Sequence, residues 1–222
     1  LVCASNANNV LTDFIRTGVY DRRREFYKTM SPSMDILISS NLERLLFELS
    51  GRNALRVKLR MDKLKEEGVY EIYDEEREAL KELFYADFCG EDETVETIYE
   101  FFEEYQYPMD THTACAMYAA GNYMAEQKDH DTPMVVVSTA SPHKFPQDVM
   151  YSLTGNDIKD SFKAIKHLNM TTAMKVPKSL SKLRDKPVRF TAVADKDKLY
   201  PEVLKFVDKN CTIHRKHIYL MG

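Results

Sequence analysis

Pro133-Met134-Val135-Val136-Val137-Ser138-Thr139-Ala140-Ser141-Pro142 is the stretch on which the fold turns. Its apolar run lacks polar alternation, so it predicts a strand over 133–138 buried on both faces, as in a parallel sheet. In open α/β sheets, ligands bind outside the carboxyl ends of such strands. Ser138 and Thr139 fall at that end and bring hydroxyl groups to it. Their plainer use is to satisfy backbone groups where a strand turns into a helix.

Working outward, most of the chain reads as helix. Leu1-Val2-Cys3-Ala4 looks like the end of a buried strand, although no initiator Met precedes it. Residues 8–17 carry Val10, Leu11, Phe14 and Ile15 at helical spacing, with Asn8 or Asn9 as the expected cap and Gly18 as the stop. Ser40 and Glu43 have the spacing of a capping box, followed by Leu42, Leu45, Leu46 and Leu49 on one face and Gly51 at the end. A helix over 52–67 is expected to turn Leu55, Leu59 and Leu64 inward. Another begins at Asp74 and carries Leu80, Leu83 and Phe84. The helix over 92–106 should bury Val95, Ile98, Tyr99 and Phe102. Residues 111–126 are rich in Ala and Gly, which lets a helix approach a sheet or ligand closely. Helices over 146–153, 158–168 and 201–209 and a strand over 188–191 complete the reading. Few, widely separated strands among many helices fit part of an α/β sheet. No linker marks a boundary; the expected division is 1–155 and a Lys-rich tail, 156–222, packing on it.

Composition narrows the function classes. With 222 residues, 44% hydrophobic and 30% charged, the chain is long enough for one sizeable core. No apolar run approaches the ~20 residues of a membrane span. The net charge of −4 hides an asymmetry. Residues 66–110 hold 17 acidic groups against Arg77 and Lys81, while 159–216 hold 15 Lys and Arg against 6 acids. The basic half consists of scattered lysines without interleaved aromatics, which reads as a solvated face rather than a nucleic-acid surface. Cys3, Cys89, Cys115 and Cys211 form no CxxC pair and read as reduced cytosolic thiols. His214 and His217 are a close pair without further ligands, so no metal site is expected.

Three polar blocks stand out in fixed order: Ala4-Ser5-Asn6-Ala7-Asn8-Asn9-Val10, Ser31-Pro32-Ser33-Met34-Asp35, and Val137-Ser138-Thr139-Ala140-Ser141-Pro142-His143-Lys144-Phe145, with Asp110-Thr111-His112-Thr113-Ala114 between the last two. Together they resemble threonine synthase, a pyridoxal 5'-phosphate (PLP) enzyme. The likeness is most specific in the blocks, runs to about residue 153, and weakens in the tail; Thr111 stands where the family usually has Pro. It implies the C-terminal part of a fold-type II (tryptophan synthase β-like) α/β open sheet. It also implies that O-phosphohomoserine and water become threonine and phosphate in the cytoplasm, with PLP as electron sink.

Residue by residue, the resemblance places Thr139, and next Ser138, at the pyridine nitrogen of the cofactor. Asn8, Asn9, Asp35, Asn41, His112 and Lys144 are implied to line the site, each with a plainer alternative as cap, loop or surface residue. His112 is expected to pack beside the cofactor rather than act as a base. Neither the family's Schiff-base lysine context nor its Gly-Asn-Phe-Gly-Asn phosphate loop occurs here, so both are expected upstream of Leu1. The N-terminal half of the same protein is then the expected partner, and this piece alone is expected to be inactive. Three alternatives remain open. One is a related phospho-lyase making 2-oxobutyrate, and another is a cofactor-free interaction module. The third is a Ser141–Lys144 nucleophile pair of the S-x-x-K type, for which the companion S-D-N and K-T-G elements are missing.

Overall fold

The computed structural model describes residues 1–128 and 131–210. Contacts divide the chain into two units, Leu1–Ser181 and Lys182–Gly222.

The first unit is built around a short parallel pair, β1 (Val2–Ser5) and β4 (Tyr85–Phe88), in the register Val2 opposite Tyr85 and Ser5 opposite Phe88. Between them run α1 (Val10–Thr17), β2 (Val19–Asp21), a 3₁₀ turn (Pro32–Met34), α2 (Leu42–Leu49), α3 (Ala54–Glu66), β3 (Val69–Glu71) and α4 (Asp74–Leu83). β2 and β3 form a separate antiparallel pair. After β4 come α5 (Glu91–Tyr105), α6 (Thr111–Gln127), a second 3₁₀ turn (Pro142–Lys144), α7 (Pro146–Thr154), α8 (Ser161–Thr172) and α9 (Lys178–Ser181). Helices dominate, as expected.

Local chemistry explains the order. Gly18, at φ +81°, ends α1 in the left-handed conformation and donates its N–H to the Phe14 carbonyl, so β2 starts at once. Phe14, Tyr20 and Tyr70 then meet in one fully buried aromatic cluster, with Tyr20 and Tyr70 stacked at 5.2 Å. Both α1 and α6 pack on the β1/β4 pair. Thr12 ties α1 to it, donating to Ser5 Oγ and the Asp87 carbonyl, each at 3.0 Å. A second core joins Ile98, Met109, Ala114, Val149, Met150 and Leu168. Because α8 packs on α7, contacts hold the chain together through Ser181, beyond the expected 155/156 division.

Several expectations are corrected. The segment 133–138 forms no strand: it has no ladder partner among the described residues, and Val135 and Val137 are 81% and 70% exposed. A fully apolar strand needs neighbours on both sides, and here it has none. Residues 188–191 likewise stay irregular, with Val188 and Phe190 in solvent. The Ser40–Glu43 box does not form. α2 starts behind Asn41 without a side-chain cap, and a 3₁₀-type bond from Leu42 N–H to the Ser39 carbonyl takes its place. Ser50, just ahead of Gly51, caps its end. Asn9 precedes α1 but makes no capping bond, because Asn8 and Asn9 bond elsewhere.

In α3 the buried stripe is Val57, Arg60, Met61 and Leu64, leaving Leu55 and Leu59 mostly exposed. The helix turns this way because Arg60 finds a buried carboxylate, Glu76, in α4. Leu83 and Tyr99 are also about half exposed, whereas Leu80 and Ile98 are buried as expected.

In the second unit, a 3₁₀ turn (Lys196–Lys198) leads into α10 (Leu199–Asn210), close to the expected 201–209. Cys211, His214 and His217 lie outside the described residues. Cys3, Cys89 and Cys115 are free thiols. Among the described residues no helix is long and apolar enough to cross a membrane, and no group of three His, Cys, Asp or Glu side chains comes together to hold a metal.

Candidate active site

Asp35 is the hub of the first two polar blocks. Its Oδ1 accepts from Asn6 Nδ2 at 2.8 Å, Thr29 Oγ1 at 2.6 Å and Asn8 Nδ2 at 3.1 Å, and its Oδ2 accepts from Thr29 N–H at 3.0 Å. Asn6 is almost fully buried and also donates to Thr29 Oγ1 and Ser31 Oγ. Asn8 closes a two-way bond with the Tyr27 backbone at 2.8 and 2.9 Å. The loop between β2 and α2 is therefore pinned to the end of β1 by side chains rather than by a ladder. Charge-assisted bonds of this kind are short and strong.

A second hub sits at the start of α6. Asp110 is fully buried and accepts from His112 N–H at 3.0 Å and from the Thr113 hydroxyl. Burial pushes its carboxyl up, but the hydrogen bonds from His112 and Thr113 outweigh that and hold it below the usual carboxylate range. His112 joins the two hubs: its Nε2 accepts from Ser33 N–H at 3.0 Å, and Asp110 Oδ1 lies 3.2 Å from its Nδ1. Since Nε2 accepts, the ring proton sits on Nδ1 and points at the carboxylate. Both ring nitrogens are thus occupied, which makes His112 a wall rather than a proton carrier. Phe145 packs on that wall with ring centres 4.5 Å apart.

Below this cluster lie Cys89 and Cys115, bridged by Thr94 Oγ1 at 3.3 and 3.7 Å. The hydrogen bond between the two thiols moves them apart in acidity: Cys115 is lowered to about 7 and Cys89 is raised.

These walls face a cavity of about 710 Å³ lined by Val2, Ala4, Ser33, Met34, His112 and Thr139, with the small residues Ala116 and Ala120 forming its floor along α6. That volume suits a small molecule. Thr139 faces this cavity. Ser138 lines a smaller one on another side, and its Oγ lies 3.1 Å from Thr113 Oγ1. Asp35 and Asn8 stand behind the Ser33 wall as supports. Asn9 accepts from Arg24 at 2.8 Å, and exposed Asn41 accepts from Arg44 at 2.8 Å. Lys144 is exposed, with its Nζ over the Phe145 ring at 5.9 Å. No lysine lines the cavity.

Sequence reading missed Asn6, Thr29 and Asp110 as organisers. Asp110 had a usable signal: an acidic residue ahead of a helix with a hydroxyl three positions on has the form of a cap. Thr29 had none, because its role depends on a loop meeting a strand end.

A family model described as "Threonine synthase, C-terminal" matches residues 113–203. Threonine synthase-like 1 of Homo sapiens is 37% identical over 161 residues, which are 72% of this chain and 21% of that protein. Threonine synthase of Pseudomonas aeruginosa is 36% identical over 149 residues, 67% of this chain and 31% of that enzyme. Among solved structures, PLP-bound threonine synthase from Brucella melitensis superposes with a TM-score of 0.75 at 32% identity, covering 93% of this chain and 40% of that one. Threonine synthase from yeast gives 0.78 at 28% identity, covering 94% and 42%. The chain spans about a fifth to a third of the length of the curated relatives it matches.

Proposed function

Because this chain belongs to the threonine synthase family and matches its C-terminal part, we propose that it forms one wall of a PLP site in a cytoplasmic enzyme that makes threonine and phosphate from O-phosphohomoserine and water. The reading rests on one observation: Thr139, Ser33 and His112, from three separate polar blocks, converge on one cavity. The residues present fit the ring side of the cofactor, which supplies the electron sink for carbanion chemistry at the substrate's carbons.

Each residue has a task. Thr139 offers a hydroxyl to the pyridine nitrogen and forces no charge onto it. Ser138, bonded to Thr113, anchors the backbone beside it. His112 and Phe145 give a flat wall, and the Asp110 carboxylate fixes the imidazole's orientation and tautomer. Asp35 orders the segment that carries Ser33. The lysine that bonds the cofactor and the loop that holds its phosphate come from the N-terminal half of the protein, so the 222-residue chain is inactive alone. Residues 1–155 belong to the cofactor domain and 156–222 form its C-terminal tail.

The test is made on the intact protein. O-phosphohomoserine is supplied, phosphate is measured, and the organic product is identified. Threonine confirms the proposal, and 2-oxobutyrate replaces it with the phospho-lyase reading. Thr139→Val lowers turnover by up to about tenfold through loss of one hydrogen bond, with the fold intact. Unchanged turnover removes Thr139 from the ring nitrogen. Absence of a PLP absorption band in the intact protein would favour an interaction module.

A further inference from the structure

A second cavity, of about 450 Å³, lies between α3 and the β3–α4 connection, away from the site described above. It is lined by Arg56, Leu59, Arg60, Lys63, Tyr70 and Tyr73, among others. Its charge is unbalanced. One buried carboxylate, Glu76, serves two guanidinium groups, with Arg60 Nη1 at 3.0 Å and Arg56 Nη1 at 3.4 Å. Lys63 reaches an acid only at 3.8 Å, on exposed Glu67. Glu71 and Asp74 also border the cavity, but Asp74 is engaged by Arg77 at 2.9 Å.

Two further features point to a ligand. Tyr70 is 1% exposed, yet its hydroxyl has no hydrogen-bond partner among the described residues. Buried polar groups are rarely left that way. Tyr73 keeps more than half its surface in solvent while its ring packs against the Arg56 and Arg60 guanidinium groups at 4.7 and 5.4 Å. Exposed Leu59 adds a second apolar surface.

We propose that this cavity binds a small organic anion, an apolar or aromatic group carrying a phosphate or carboxylate. Arg56 and Lys63 hold the oxyanion, Tyr70 Oη donates to it, and the apolar part lies against Leu59 and Tyr73. Guanidinium forks suit both oxyanions.

The site is wired to the first cavity. The Tyr70 ring is stacked on Tyr20, within 6° of parallel. Tyr20 Oη donates to the Leu37 carbonyl at 3.1 Å and accepts from Ser39 N–H at 2.9 Å. Those residues continue the loop that carries Ser33 and Asp35. An anion held by Tyr70 therefore tightens residues 37–39. Its meaning as regulation rests on the function proposed above; the binding itself does not.

The test titrates phenyl phosphate, benzoate and inorganic phosphate into the protein, following amide NMR shifts and amide exchange at Ser39. Phenyl phosphate or benzoate binds saturably and one-to-one, and the tighter of the two identifies the oxyanion. Tyr70→Phe, which removes only an unpaired hydroxyl, weakens binding about tenfold. Lys63→Glu, at a half-exposed position, weakens it by a similar factor. Binding slows Ser39 exchange. No saturable binding of either probe at millimolar concentration, or binding unchanged by both substitutions, overturns the site. Binding with unaltered Ser39 exchange overturns the wiring alone. None of these readouts needs catalysis, so they fail separately from the proposed reaction.

Discussion

The Asp35 cluster and the segment 133–139 contribute to the same cavity, but they are held in opposite ways. Asp35 receives four donors from three residues, Asn6, Asn8 and Thr29. Residues 133–138 are the most strand-like stretch of the sequence, yet they make no ladder and expose Val135 and Val137. Side-chain hydrogen bonds are satisfied within this chain, whereas a parallel strand is completed only by other strands. The polar half of the site is self-contained. The hydroxyl half waits for sheet partners, which our proposal places in the N-terminal half of the protein.

Four substitutions sharpen that contrast. Asp35→Ala strands several buried donors at once and should cost about 3 kcal/mol in a urea titration of this chain. A cost below about 1 kcal/mol would show that the loop is held by something else. Asp110→Asn should cost about 2 kcal/mol, because the new amide still accepts from the backbone but loses the charge that orients His112 and Thr113.

Asp110 also sets a pH dependence. Its carboxyl is held below the ordinary value, so its contribution is present above the unfolded value and is lost as pH falls through the folded one. Burial lowers His143, so the unfolded chain takes up a proton there first; stability therefore falls as pH drops below the ordinary histidine value. Both effects weaken the fold in acid. Asp110→Asn should flatten the carboxylate part of that loss, measured as the urea midpoint across a pH series. An unchanged acid limb would remove Asp110 from the account.

Val137→Thr, in the open segment, should change the stability of this chain by less than about 0.5 kcal/mol. In the intact protein the same substitution should cost about 1 kcal/mol or more, since the side chain is then buried. Leu59→Ser should also be nearly silent, because α3 presents Leu59 to solvent.

What was legible in the sequence followed from local rules. Gly18 ended its helix, the small-residue helix took its place beside the cavity, and the polar blocks lay close in space. What failed depended on partners far away in the chain. Leu55 and Leu59 looked like a core stripe until Arg60 found Glu76. Ser40 and Glu43 had the spacing of a cap, but backbone bonds closed that turn instead. The run at 133–138 had every strand property except neighbours. Asn41 and Lys144 were singled out by the resemblance, yet their partners are Arg44 and Phe145. Asp110, which binds the two polar hubs together, drew less attention than His112 beside it.

Amide hydrogen exchange at Val136 and Val137, compared between this chain and the intact protein, tests the central contrast most directly. The account predicts fast exchange at both amides in the chain alone and strong protection in the intact protein, with Ala86 in β4 protected in both. Protection already present in the chain alone, or fast exchange in both, would contradict it.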